Sequence, residues 1–140
     1  MWKIAAFSLV LAVSVKSNVG DCASICADFT RLPQVKMNTN LVKSPHRHTS
    51  ATFLKCVKIC LGWSLCKSFD YVMAEQRCTL NEKDETDLKS TSLEFEEGTI
   101  YSSISLWERR FSGVCDGHVC ADNDYCYVTR DGTADCAHFP

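Results

Sequence analysis

The chain has 140 residues, with 15 Lys and Arg against 17 Asp and Glu and a formal net charge of −2. That balance excludes a histone-like basic protein and an acidic solvating tail; 46% hydrophobic and 23% charged residues describe a globular chain rather than a disordered one. Ten cysteines in so short a chain argue against a cytosolic housekeeping enzyme and for an oxidised, exported scaffold.

Met1-Trp2-Lys3 leads into an apolar run from Ile4 to Val15. This run falls well short of the roughly 20 residues a membrane-spanning helix needs. A secretory signal over residues 1–17, cut after Ser17, is the expected reading, with an uncleaved anchor as its rival. No later run could cross a bilayer, so no membrane span is expected after cleavage, and no Asn-x-Ser/Thr acceptor occurs.

The cysteines form a leading pair (Cys22, Cys26), a central four (Cys56, Cys60, Cys66, Cys78) and a tail four (Cys115, Cys120, Cys126, Cys136). No Cys-x2-Cys pair is present, and exported thiols meet oxidant before metal, so disulfides are expected and zinc is not. Phe29 to Leu32 could form a strand, and polar Asn38 to Ser50 reads as loop. Ser50 or Thr52 can cap a helix starting near Phe53, with Phe53, Cys56, Val57 and Cys60 on one face and Gly62 as a stop. Cys66 to Met73 reads as a strand, and Arg77 to Leu80 as its antiparallel partner. Acidic, polar Glu82 to Ser92 reads as an exposed loop. Thr99 to Phe111 reads as one long strand, with Ile100, Ile104 and Leu106 on one face and Tyr101 and Trp107 on the other. The expected class is α+β: a small disulfide-stapled antiparallel sheet with one packed helix, followed by a short cysteine-rich β-hairpin tail.

Cys56 and Cys60 leave the helix in one direction. If the helix packs on the hairpin carrying Cys66 and Cys78, two bonds can staple it down, and a nested pairing is one choice. Each closure is typically worth about 2–4 kcal/mol. Cys56-Val57-Lys58-Ile59-Cys60, then Leu65-Cys66-Lys67-Ser68-Phe69-Asp70-Tyr71, then Cys78-Thr79-Leu80 resemble the PAN/apple family, which includes the N-terminal domains of plasminogen and hepatocyte growth factor. Ile100-Tyr101 through Leu106-Trp107-Glu108 is similar to the family's terminal aromatic strand, although Trp107 stands where Tyr is more usual. The resemblance implies a domain over residues 22–111, a helix-on-sheet architecture, and the bonds Cys56–Cys78 and Cys60–Cys66.

The tail, residues 112–140, resembles the first part of an EGF-like module, and Asp131-Gly132 between β-formers is a hairpin signal. That resemblance implies Cys115–Cys126 and Cys120–Cys136, leaving Cys22 to pair with Cys26. The PAN/apple resemblance offers a competing end-to-end bond from Cys22 or Cys26 to Cys115. The EGF-like arrangement is preferred because it joins all ten thiols locally. Asp116, Asp122, Asn123 and Asp124 do not follow the calcium-binding EGF pattern, which places acids before its first cysteine.

No Gly-x-Ser-x-Gly or His-Glu-x-x-His occurs, and every cysteine is better spent on a disulfide than as a nucleophile. No catalytic residue, cofactor or metal is expected; His46-Arg47-His48 lacks a third ligand. Charge is more informative: Phe29 to Phe69 contains no acid, whereas Glu75 to Glu97 is strongly acidic. The first expectation is a secreted, non-enzymatic module that binds sulfated glycosaminoglycan through Lys43, Arg47, Lys55, Lys58 and Lys67. The family resemblance supports it, because the growth-factor N-terminal domain binds heparin. The rival is that the acids from Glu75 onward fold back and pair with these cations. The alternatives are a protein-binding module anchored by Trp63, Tyr125, Tyr127 and Phe139, or a small defence or toxin-like protein. Nucleic acid is not an expected partner, and the chain is expected to be monomeric or weakly oligomeric.

Overall fold

The computed structural model describes residues 32–87 and 92–140. The signal segment, Cys22 and Cys26, and all but the last residue of the strand expected at Phe29 to Leu32 lie outside them.

Among the described residues, seven strands and one α-helix are arranged as β1 (Lys36–Val42), β2 (His46–Ser50), α1 (Phe53–Gly62), β3 (Ser68–Val72), β4 (Arg77–Asn81), β5 (Ser92–Ser103), β6 (Asp124–Val128) and β7 (Ala134–His138). Short 3-10 turns cover Ile104–Leu106 and Arg109–Cys115, the latter kinked at Gly113. The first five strands form one sheet in the order β1-β5-β3-β4-β2, with every pair antiparallel. β6 and β7 form a separate two-stranded ribbon.

Helix α1 begins where the Thr52 hydroxyl accepts the Lys55 N–H at 3.4 Å, relieving one of the unpaired donors of its first turn. Phe53, Cys56, Val57 and Cys60 are buried on its inner side, and Ile59 is buried beside the tail ribbon. This stripe lies on the sheet face that carries Phe69, Tyr71, Cys78, Leu80 and Ile100. The strand period of two puts Phe69 and Tyr71 on that face and Ser68 and Asp70 on the other. The Phe53 ring stands edge-on to Phe69 at 5.8 Å and to Tyr71 at 5.6 Å. Disulfides join Cys56 to Cys78 on β4 and Cys60 to Cys66 at the foot of β3, so covalent links cross the same interface that the apolar contacts fill.

Several local expectations give way. The loop expected over Asn38 to Ser50 is mostly strand: β1 and β2 are the two edges of the sheet. Edge strands can be polar because one margin and part of one face stay wet, so they lack the apolar alternation that announces a central strand. The expected strand from Thr99 to Phe111 instead runs from Ser92 to Ser103. Its first half pairs with β1 as a ribbon outside the core, which is why Phe95 is 80% exposed. The 3-10 turn after Ser103 then rotates the chain, so Trp107 joins Ile100 in the core rather than opposing it. The Trp107 indole N–H donates to the Ser102 hydroxyl at 2.8 Å.

The stretch expected as an exposed loop after Asn81 is, over residues 82–87, mostly half-buried. The Ser68 hydroxyl donates to the Lys83 carbonyl at 2.6 Å, and the Tyr101 hydroxyl donates to the Glu85 carboxylate. Burial and that carboxylate hold the Tyr101 hydroxyl far above its usual range. Burial acts to raise the Glu85 carboxyl, but the Tyr101 hydrogen bond and Lys36, 3.3 Å away, outweigh it and keep it ionised.

Candidate functional site: a cleft between the helix and the tail hairpin

The tail ribbon is built from its own cross-links. Cys115–Cys126 and Cys120–Cys136 tie the two strands to the turn segment before them. Gly132 adopts φ 83° in the connecting turn, a conformation glycine takes without penalty.

The ribbon is seated on the domain by a specific set of contacts. Gly62, the last residue of α1, lies so close to β6 that a Cβ there would be 2.5 Å from the Cys126 carbonyl oxygen. Gly62 therefore serves close approach, and it is not a left-handed helix stop. The Trp63 indole N–H donates to the Asp122 carbonyl at 2.7 Å. Its ring meets Phe139 at 5.1 Å, and Phe139 in turn meets Tyr125 at 4.7 Å. The Arg47 guanidinium lies over both Trp63 (5.5 Å) and Phe139 (5.2 Å), and its Nη2 donates to Asn123 Oδ1 at 2.5 Å.

This docking leaves a cleft of about 370 Å³ between the outer side of α1 and the ribbon. Lys55, Lys58 and Ile59 of α1 form one wall, Tyr125, Tyr127 and Val128 of β6 the other, and Ser112 and the Cys115–Cys126 disulfide close the end. Lys55 and Lys58, three residues apart on one helix, have Cβ atoms about 5–6 Å apart. Both are exposed, and neither takes part in an ion pair among the described residues. The Tyr127 hydroxyl donates to Asp135 at 3.3 Å, and that carboxylate holds the phenol above its usual range, so it stays neutral. The arrangement sets two cations, without an ion pair among the described residues, opposite an apolar, aromatic wall.

The five cations expected to bind ligand do not share this surface. Only Lys55 and Lys58 line the cleft. Arg47 is committed to Trp63 and Phe139, and Lys67 pairs with Asp87 at 3.4 Å. The Asp84 N–H and then Lys67 keep the Asp87 carboxyl below its usual range. Lys43 sits at φ 63° in the turn joining β1 to β2. Of the four aromatics expected as partner anchors, Trp63 and Phe139 are buried (1% and 4% exposed), and Tyr127 is the most open at 40%. Ile59, Ser112, Val128 and Ala137 line the cleft without having been singled out, because the cleft exists only once the ribbon is docked.

A helix stapled by disulfides to a five-stranded antiparallel sheet over a shared apolar core, with an open cleft and exposed lysines beside the tail ribbon, has the build of a small disulfide-bonded interaction module. The PAN domain family matches residues 22–105, well over half of the chain, and the chain belongs to this family. A search of curated proteins returned no match. PAN domains are non-catalytic modules that bind proteins or carbohydrates, and this chain carries that architecture. Among the described residues no helix is long and apolar enough to cross a membrane.

Proposed function

We propose that the chain is an exported recognition module that binds a sulfated glycosaminoglycan in the cleft between α1 and the β6–β7 ribbon. The observation that carries this reading is the pair Lys55 and Lys58, exposed and without an ion pair among the described residues, facing Tyr125, Tyr127 and Val128 across the cleft. Two ammonium groups suit two sulfates on one face of a sugar chain, and an aromatic wall suits the apolar face of a pyranose ring. In this reading residues 1–17 are the cleaved signal, residues 22–111 the PAN domain, and residues 112–140 an EGF-like tail that completes the binding surface. Lys43, Arg47 and Lys67 have no primary role in it.

A heparin-affinity salt gradient on the mature chain tests the reading. The wild type is expected to elute above physiological salt, and Lys55→Gln with Lys58→Gln to elute well below it. Lys43→Gln and Lys67→Gln are expected to change elution little. An acidic but unsulfated peptide that displaces heparin equally well would point to a protein ligand instead, and elution of the wild type at or below physiological salt would sink the glycan reading.

A further inference from the structure

We propose that β2 carries a divalent transition-metal site formed by the imidazoles of His46 and His48. The inference does not rest on the cleft: Arg47, between the two histidines, points to Trp63 and Phe139, whereas the histidines project from the other face of the strand.

As a polar loop, His46-Arg47-His48 would hold its rings in no fixed relation. As an edge strand it places residues i and i+2 side by side. The ring centroids are 4.6 Å apart and tilted by 56°, with both residues exposed. Each ring is oriented through Nδ1. His46 Nδ1 is 2.9 Å from the Ser44 carbonyl, and His48 Nδ1 is 2.9 Å from the Thr79 hydroxyl on the neighbouring strand β4. A carbonyl can only accept, so neutral His46 carries its proton on Nδ1 and leaves the Nε2 lone pair open. Neither Nε2 has a hydrogen-bond partner among the described residues. A ring that donates through Nδ1 and leaves Nε2 bare is the usual condition of a metal-ligating histidine; His46 meets it through the Ser44 carbonyl, and His48 meets it in the tautomer whose Nδ1–H donates to the Thr79 hydroxyl.

The register supports the pair: His46 lies opposite Asn81 and His48 opposite Thr79, so both rings stand on a backbone held by its ladder. Two imidazoles select copper, nickel or zinc over magnesium and calcium, which require oxygen ligands. With two protein ligands, the remaining positions belong to water or to a donor from a partner. The neighbouring Arg77 is paired with Glu75 at 2.8 Å. The described residues contain one compact group of three ligating side chains, His118, Cys120 and Cys136, but its two sulfurs are joined to each other and offer no thiolate.

The test is titration of the oxidised, folded chain with Zn2+, followed by the imidazole signals of all four histidines in NMR. The expected result is saturable binding of one equivalent, with the largest changes at His46 and His48 and none on adding Mg2+ or Ca2+. His46→Ala and His48→Ala should each weaken binding at least fivefold, because each removes half of a chelating pair, while His118→Ala and His138→Ala should leave it unchanged. The alanine variants sit on an exposed strand face, and an unchanged amide spectrum elsewhere checks that they fold. Changes centred on His118 or His138, or less than fivefold weakening in either β2 variant, would overturn the proposal.

Discussion

Gly62 and Cys126 touch through their backbones: the Gly62 Cα faces the Cys126 carbonyl so closely that a Cβ would stand 2.5 Å from the oxygen. This contact seats the tail ribbon against the end of α1 and sets the width of the cleft. Backbone cannot swing aside as a flexible side chain can. Gly62→Ala should therefore lift the ribbon and destabilise the chain by about 1–3 kcal/mol, the usual cost of overpacking a close interface. Urea unfolding of the two proteins checks it; an alanine variant as stable as the parent would show that the ribbon is not held there.

Arg47 acts as the second clamp. Its guanidinium covers Trp63 and Phe139 and bonds Asn123, and a partly desolvated cation–π contact is worth up to about 2 kcal/mol. Arg47→Met keeps much of the stem packing and loses the charge and the fork. We expect a loss on the order of 1–3 kcal/mol and a changed Trp63 fluorescence as the indole loses its cover. Arg47→Lys should recover little of this, since an ammonium lacks the planar surface that stacks. Full recovery by lysine would contradict the clamp.

Asp70 makes stability depend on pH in an unusual direction. Burial pushes its carboxyl up to about 7, against the Asn81 amide and the Leu41 N–H, which donate to it at 2.8 Å and 2.9 Å. The unfolded chain has its Asp70 near 3.8. The folded state therefore favours the protonated form. The stability this lends is complete below about pH 4 and is lost as pH rises through about 7, with a total on the order of a few kcal/mol. Asp70→Asn mimics the neutral acid, with the Asn81 amide turned to match. Melting temperatures from pH 4 to 8 should fall less steeply in the variant than in the parent; parallel curves would remove Asp70 from the account.

The two central staples should differ in strength. Cys56–Cys78 closes a separation of 22 residues and Cys60–Cys66 one of 6. Loop-closure entropy makes the first worth about 3 kcal/mol and the second about 2 kcal/mol. Replacing both members of each pair with alanine and comparing urea midpoints checks the order, and a larger loss for the shorter loop would reverse it.

What could be read from the residues was local or covalent. Helix α1 declares itself through Thr52 and the buried stripe Phe53, Cys56, Val57 and Cys60, all within three turns. The family was legible because its cysteines and Phe69-Asp70-Tyr71 lie in short runs. β1 and β2 were not, because sheet edges need no apolar alternation and Asn38 turns through φ 52° at the irregularity in the β1–β5 pairing. The cleft was beyond reach for a different reason. Lys55 and Tyr127 become neighbours only because Gly62, Trp63 and Arg47 receive the tail, and no spacing in the chain records contacts at that range. The charge asymmetry was visible, but the pairing of Lys67 with Asp87 depends on where the turn carrying Asp87 folds back.

The most direct measurement of the central claim is amide and side-chain NMR of the mature chain titrated with a short, fully sulfated heparin oligosaccharide. Shifts are expected to concentrate on Lys55, Lys58, Tyr125, Tyr127 and Val128 and to disappear when both lysines are glutamine. Shifts centred on Lys43 and Lys67, or no saturable shift at physiological salt, would contradict it.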